Sequence, residues 1–236
     1  MAESGSRPGN APRVSVVIPA LNEEAAIGSV VSEVPRHLVA EIIVVDNGST
    51  DRTAAVAAAA GARVVREPRR GYGSACLAGA LAATDAEILV FLDGDRNEDP
   101  REMDRVLAPV LAGEAHLVIG SRVRGGAPTA LTPQQRVGNR VVTTLLRLLY
   151  GLRLTDIGPF RAIAARVLHD LGMEHQTYGW PVEMIVKAAR RGYRIVEVPV
   201  SCRPRIGRSK VAGTLRGSVL AGYHLLLTTV RYAWRR

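Results

Sequence analysis

The feature that most constrains this chain is a recurrence. Short runs of large, mostly β-branched apolar residues break off abruptly into acidic or turn-forming ones. Val14-Ser15-Val16-Val17-Ile18 closes at Pro19, and Glu41-Ile42-Ile43-Val44-Val45 gives way to Asp46-Asn47-Gly48-Ser49-Thr50-Asp51. Glu87-Ile88-Leu89-Val90-Phe91-Leu92 ends in Asp93-Gly94-Asp95. Runs that are apolar on both faces suit strands of a parallel sheet covered by helices on each side. The stretches between them have helical length, and that alternation predicts right-handed βαβ units.

Taken in order, the pattern predicts a helix over 23–34, with Asn22 as its N-cap and Glu23 and Glu24 in a first turn that favours negative charge. An alanine-rich helix over 52–60, a short strand over 62–66 and a loop over 67–73 follow, then a helix to about residue 83 and the strand 87–92. Pro100 opens a helix to about 112 in its favoured first-turn place. A strand over 116–120, a helix over 134–149 and a mixed segment over 155–164 come next. A helix over 181–191, a strand over 193–200 and a basic loop over 201–210 precede a final helix over 211–234. The expected organisation is a disordered tail over 1–12, one α/β domain over 13–210 and a C-terminal helix over 211–236. The tail is small, polar and rich in Pro and Gly, without the apolar centre of a signal peptide.

If the strands are parallel, their carboxyl ends meet at one edge, where such sheets place their ligands. Three clusters then converge: Pro19-Ala20-Leu21-Asn22-Glu23, the turn after Val45, and Asp93-Gly94-Asp95. A lone Asp-x-Asp is most often a solvated turn; the company of the other two strand ends argues otherwise. Two carboxylates held that close repel unless a positive charge lies between them. A hard divalent cation carrying phosphate oxygens fits, since Mg2+ takes one or two carboxylates plus phosphates.

Composition narrows the partners. Of 236 residues 47% are hydrophobic, enough for a sizeable core, and a net charge of +9 points to an anionic partner. No RNA-recognition aromatic motif or helix-turn-helix pattern appears, so nucleic acid is not the expected partner. The two cysteines, Cys76 and Cys202, stand far apart and read as free thiols in a reducing compartment. Gly71-x-Gly73 lacks the third glycine of a dinucleotide fingerprint, no Walker motif or Gly-x-Ser-x-Gly elbow is present, and the histidines lack metal-ligand spacing. What remains is an acidic cluster with arginines downstream, which suits group transfer from a diphosphate-activated donor. Arginine forks match phosphate oxygens bidentately.

These residues carry a resemblance. Val16-Val17-Ile18-Pro19-Ala20-Leu21-Asn22-Glu23-Glu24, Val45-Asp46-Asn47-Gly48-Ser49-Thr50-Asp51-Arg52-Thr53, Asp93-Gly94-Asp95, Gly120-Ser121-Arg122 and Phe160-Arg161 resemble family 2 glycosyltransferases of the GT-A fold. Arg194-Ile195-Val196-Glu197-Val198-Pro199-Val200, followed by Arg205-Ile206-Gly207-Arg208-Ser209-Lys210, is similar to the dolichol-phosphate mannose and glucose synthases. The resemblance runs from about Val14 to Lys210. It implies a Rossmann-like, mostly parallel sheet flanked by helices, and an inverting, metal-dependent hexosyl transfer from a nucleotide-diphosphate sugar (GDP-mannose or UDP-glucose type) to a polyprenyl phosphate.

Position by position, the resemblance places Pro19, Ala20, Asn22, Glu23, Gly73 and Gly94 around the nucleotide sugar, with Asp46 on the base. Asp93 and Asp95 would hold Mg2+ or Mn2+ and the donor diphosphate. Arg122 and Arg161 would meet phosphates of donor or acceptor. Asp156 and Glu183 fall in the acceptor half, and Asp95, Arg161, Glu183 and Asp156 form the implied catalytic set. Arg205, Ser209 and Lys210 would grip the acceptor phosphate near the membrane. The final helix would lie in the membrane interface, its basic tail on anionic headgroups, with the enzyme peripheral on the cytoplasmic face. Three positions depart from the family pattern. Asn97 stands for a frequent Gln, Gly158-Pro159-Phe160-Arg161 for Ser-Gly-Phe-Arg, and Gly179-Trp180-Pro181-Val182-Glu183 loses one carboxylate of Phe-Glu-x-Glu. Two alternatives stay open: a hydroxyl acceptor in place of the lipid phosphate, and a non-catalytic binder of nucleotide sugar or nucleic acid.

Overall fold

A computed structural model of the chain describes residues 12–126, 131–206, 227–229 and 232. The strands are β1 (Val14–Ala20), β2 (Glu41–Asp46), β3 (Arg63–Arg66), β4 (Ile88–Phe91), β5 (Leu117–Ser121), β6 (Arg161–Ala164) and β7 (Ile195–Pro199). They form one sheet in the order β3-β2-β1-β4-β6-β5-β7. The pairs β1–β2, β2–β3, β1–β4 and β5–β7 are parallel, while β6 runs antiparallel to both β4 and β5. This is the mostly parallel α/β sheet that the alternation of strands and helices predicts.

The helices are α1 (Ile27–Glu33), α2 (Thr53–Ala59), α3 (Tyr72–Ala82), α4 (Met103–Leu111), α5 (Pro133–Tyr150), α6 (Ala165–Leu171) and α7 (Trp180–Arg190). Successive strand residues point to opposite faces, so the apolar runs feed two cores. Val17, Ile43, Val45, Leu89, Phe91, Ile119 and Ile163 pack with α3, α5, α6 and α7 on one face. Val16, Ile18, Val44, Val90, Val118 and Ala162 pack with α1, α2 and α4 on the other. Phe91 meets Trp180 edge-on at 4.9 Å between ring centroids, joining β4 to the start of α7.

Three expectations need correction. The segment 155–164 hides β6, and α6 follows it directly. Asn22 caps no helix. It sits in the left-handed region at φ 52°, and its Oδ1 accepts from Thr50 N at 2.8 Å, tying the loop after β1 to the loop after β2. Glu23 and Glu24 are likewise outside the helix: α1 begins only at Ile27 and has no acidic residue in its first turn. Of the expected final helix, residues 227–229 and 232 are described and are helical. Thr228, Thr229 and Tyr232 there are buried, Tyr150 Oη donates to Thr229 O at 2.6 Å, and Arg190 Nη1 donates to Tyr232 O at 2.6 Å. The rest of 211–234, with its expected membrane face, lies outside the described residues, as does most of the tail 1–12.

Two glycines of helical segments predict opposite mutational outcomes. A Cβ on Gly79 of α3 would overlap Val17 Cγ1 and stand 2.9 Å from Val45 Cγ2, so α3 is seated directly on β1 and β2. A Cβ on Gly138 of α5 meets nothing within 4 Å. Gly79→Val should therefore lower the urea midpoint by about 1–3 kcal/mol of stability. Gly138→Ala should raise it by about 0.5–1 kcal/mol, both read as midpoint shifts at constant slope.

Candidate functional site

The strand order reverses direction between β1 and β4, which is where an open α/β sheet opens a crevice beyond its carboxyl ends. A cavity of about 410 Å³ occupies that place. Pro19, Ala20, Leu21 and Glu23 line it from the end of β1, Asn47 from the end of β2, and Asp93, Gly94 and Asp95 from the end of β4. Arg70, Gly71, Tyr72 and Ala75 close it from the start of α3, and Thr177, Tyr178 and Arg205 from the far side.

The neighbour of Asp46, not Asp46 itself, faces this cavity. Asp46 Oδ1 accepts from Ser49 N at 2.9 Å and shapes the turn after β2. Asn47 donates from Nδ2 to Glu67 O at 2.9 Å and Arg69 O at 2.8 Å, and accepts from Gly71 N at 2.8 Å. It thereby holds the 67–71 loop across the cavity mouth. Gly71 has φ 150°, and a Cβ there would overlap Gln176 O, so this close crossing needs glycine. Gly73 does not line the cavity. A Cβ on it would overlap His175 O and stand 2.9 Å from Trp180 Cδ1, so it serves the packing of α3 against the loop before α7.

The acidic end of the site is crowded with negative charge. Asp93 Oδ1 accepts from Tyr72 Oη at 3.0 Å. Asp95 is 5% exposed; its Oδ1 accepts from Asn97 N at 2.9 Å and its Oδ2 pairs with Arg205 Nη2 at 2.6 Å. Burial, and then the charge of Asp95, push Asp93 up to about 7. A third acid, Glu98, is 1% exposed and neither of its oxygens has a hydrogen-bond partner. Its nearest cation is Arg122 Nη1 at 3.9 Å, and burial followed by the charges of Asp93 and Asp95 pushes its carboxyl well up. Nothing in the sequence singled out Glu98, an acid among acids.

Arg122 and Asp156 form one unit. Arg122 donates from Nε to Asp156 Oδ2 at 2.9 Å and from Nη2 to Asp156 Oδ1 at 3.0 Å, with its backbone N on Oδ2 at 2.9 Å. Burial works against the guanidinium charge, but the bidentate Asp156 carboxylate more than offsets it. Neither residue lines the cavity, although Arg122 reaches toward its acidic end through Glu98.

Two residues expected at phosphates or acceptor stand elsewhere. Arg161 is 1% exposed, and its guanidinium is spent on backbone carbonyls: Gly158 O, Ile157 O at 3.1 Å and Pro181 O at 3.0 Å. It locks the loop before β6 onto the start of α7. Glu183 is fully buried, accepting from Glu174 N at 2.9 Å, His175 N at 2.8 Å and Tyr232 Oη at 2.8 Å, with Lys187 Nζ at 2.8 Å. Burial opposes its charge, yet these donors hold its carboxyl below the usual range. Both are framework groups in this arrangement.

The segment after β7 is stitched to the segment after β4. Cys202 bridges Glu98, Arg203 N donates to Asn97 O at 2.7 Å, Asn97 Nδ2 donates to Arg203 O at 2.7 Å, and Ile206 N donates to Asp95 O at 3.1 Å. Arg203 pairs with Glu33 at 2.6 Å and with Asp99. Asn97 is thus committed to this ribbon. Ser209 and Lys210 lie outside the described residues.

The site suits a divalent cation by charge. The partnerless Glu98 oxygens and the raised Asp93 show negative charge that the protein's own cations leave uncompensated. Among the described residues no three His, Cys, Asp or Glu side chains gather closely enough to enclose a metal. Two carboxylates with open positions is the arrangement Mg2+ accepts when phosphate oxygens complete its shell.

A family model described as Glycosyl transferase family 2 matches residues 15–172, and the chain belongs to that family. It is 44% identical over 209 residues to an uncharacterized glycosyltransferase of Mycobacterium bovis, covering 88% of this chain and 94% of the relative. It is 35% identical to a dolichyl-phosphate hexose transferase of Haloferax volcanii, covering 84% and 86%. An undecaprenyl-phosphate mannosyltransferase of Micrococcus luteus is 32% identical, covering 88% and 91%. Among solved structures, glucosyl-3-phosphoglycerate synthase of Mycobacterium tuberculosis, in complex with phosphoglyceric acid, superposes with a TM-score of 0.75 at 30% identity. That match covers 94% of this chain and 80% of the other. Crystals of the same synthase contain Mn2+ with UDP-glucose and phosphoglyceric acid, or Mg2+ with UDP.

The crowding has a measurable signature in the metal-free protein. A carboxyl NMR titration should place the Asp93 midpoint near 7, and Asp95→Asn should move it down by removing the like charge. A carboxyl raised on folding binds its proton more tightly in the folded state. Its contribution to stability is therefore full below about pH 4 and lost as pH climbs through about 7. Asp93→Asn should raise the thermal midpoint at about pH 8 and leave it nearly unchanged at about pH 4.

Proposed function

We propose that this glycosyltransferase moves a hexose from a nucleotide-diphosphate sugar to a polyprenyl phosphate at a membrane surface, with Mg2+ or Mn2+ held by Asp93 and Asp95. The observation that carries the reading is the uncompensated acidic end of a cavity sized for a small ligand. The relatives that carry polyprenyl phosphates in their names support the acceptor class.

In this reading the nucleoside lies against Pro19, Ala20, Leu21, Glu23 and Asn47, with Asn22 and Asp46 fixing the two loops that form this wall. The 67–71 loop, held by Asn47, closes over it. Asp93 and Asp95 would hold the divalent cation, which would supply positive charge to the departing diphosphate. Tyr72 orients Asp93 through its hydroxyl, and Arg205 supplies positive charge beside Asp95. Arg122, aimed by Asp156, adds a guanidinium on the acceptor side. Ser209 and Lys210, which follow Arg205 in the sequence, are assigned to the acceptor phosphate on the family resemblance. Arg161 and Glu183 act as positioning residues that hold the loops before β6 and α7.

The acceptor phosphate oxygen attacks the anomeric carbon on the side away from the diphosphate, forming a new C–O bond as the sugar–diphosphate bond breaks, so configuration inverts. An ionised phosphate is already a nucleophile and needs no strong base. A second reading, transfer to a hydroxyl of a small phosphorylated acid, is favoured by the superposition on a synthase bound to phosphoglyceric acid. Both acceptors are anionic and both draw on Arg122 and Arg205.

The deciding experiment incubates the protein with UDP-glucose or GDP-mannose and Mn2+ or Mg2+, offering a short polyprenyl phosphate or 3-phosphoglycerate. An acid-labile glycosyl phosphodiester on the lipid is the expected product. An acid-stable glycoside on phosphoglycerate would replace the lipid reading with the second. Asp95→Ala should lower kcat by about a thousandfold or more, and chelation of the metal should abolish turnover. Full activity in that variant would remove the assigned metal role.

A further inference from the structure

One surface takes no part in the chemistry above: the outward side of α5. Its inward side is accounted for. Val142 and Leu146 join the core, while Asn139 Nδ2 donates to Thr155 O at 2.8 Å and its Oδ1 accepts from Ile157 N at 3.0 Å. The side of a surface helix facing water is ordinarily polar. Here Val137, Val141 and Leu148 are 65%, 42% and 74% exposed. At about 100° per residue the three fall within about 40° of one another, an apolar stripe interrupted by exposed Thr144 between Val141 and Leu148. Arg136, Arg140 and Arg147, all exposed, form a parallel row centred about 100° around the helix from it. The helix contains no acidic residue.

We propose that this face of α5 docks the protein onto an anionic lipid bilayer. The helix lies flat, with the Val137–Val141–Leu148 stripe in the acyl boundary and the arginine row among headgroup phosphates. Charge complementarity selects this occupant. A chain of net charge +9 with a row of arginines and no acid on the helix is drawn to an anionic surface. A second copy seated on the same face would oppose arginine to arginine, and a nucleic acid would leave the apolar stripe in water. Lying flat also fits the helix itself, since no described helix is long and apolar enough to cross a membrane. Asn139 then connects the docked helix to the loop carrying Asp156, and so to Arg122, on the acceptor side of the cavity. The surface is read from α5 alone and does not rest on the identity of the acceptor.

The test is co-sedimentation of the full chain with vesicles of phosphatidylglycerol and phosphatidylcholine in equal parts, without donor or acceptor. A Val137→Ser/Val141→Ser/Leu148→Ser variant should bind about tenfold or more weakly. Circular dichroism and the urea midpoint should be unchanged, because the three side chains are exposed. An Arg136→Gln/Arg140→Gln/Arg147→Gln variant should bind these vesicles about a hundredfold more weakly at low salt, and pure phosphatidylcholine as the parent does. Parental binding by both variants would overturn the proposal. So would variants that alter only self-association in ultracentrifugation, or only retention of DNA. Failure of lipid-phosphate transfer alongside α5-dependent vesicle binding would remove the acceptor and leave this surface standing.

Discussion

The rest of the structure depends on a concentration of negative charge that the chain cannot neutralise locally. Asp93, Asp95 and Glu98 lie within one short segment after β4, and buried like charges at such range repel strongly. Their counter-groups come from far along the sequence: Tyr72 at the start of α3, Arg122 after β5, Arg205 after β7. Arg122 and Arg205 arrive through the far side of the sheet, at the ends of β5 and β7. The acidic segment therefore works as a hub that ties the two ends of the domain together, and the charge still left over is what gives the cavity its chemistry.

The two buried arginines show how burial divides roles among residues of one type. Arg122 keeps a carboxylate, Asp156, as a bidentate partner and still reaches Glu98 at the acidic end. Arg161 has no carboxylate partner, its guanidinium resting on carbonyls and the Met184 sulfur, and burial lowers its affinity for a proton. A guanidinium spent mainly on main-chain oxygens cements two loops together. A guanidinium aimed by an acid carries a directed charge. Glu183, wrapped by two backbone amides, a tyrosine and a lysine, belongs with Arg161 in this respect.

Most of the sheet was legible because β1, β2, β4 and β5 are buried on both faces and read as largely apolar runs. β6 was not legible, because Arg161-Ala162-Ile163-Ala164 is short, begins with a charge and contains only one large apolar residue. The acidic pair and the loop at Pro19-Ala20 were legible from strand ends that must converge. The choice between Asp46 and Asn47 was not, since adjacent residues leave a strand in different directions and sequence does not say which side of the turn meets the cavity. Asn22 looked like a helix cap because its amide suits one. Its left-handed backbone lets the same amide bind Thr50 across a loop instead. Glu98 carried no signal at all, for its distinction lies in having no hydrogen-bond partner.

The reversed strand β6 has one further consequence. Because Arg161 pairs beside Phe91 and Ala164 beside Ile88, β6 starts at the edge where its neighbours finish. The loops around the β1, β2 and β4 ends leave their strands, whereas the 155–160 loop enters one. β6 is thus a single reversed strand between two blocks that run the same way, and it sets one entering loop among departing ones on a shared rim. That entering loop is tied to the β5 and β7 ends, through Asp156 on Arg122 and through Glu197, so substitutions in it bear first on that side and not on the loops after β1, β2 and β4. Such a division lets one half of a reaction be inherited while the other is rewritten.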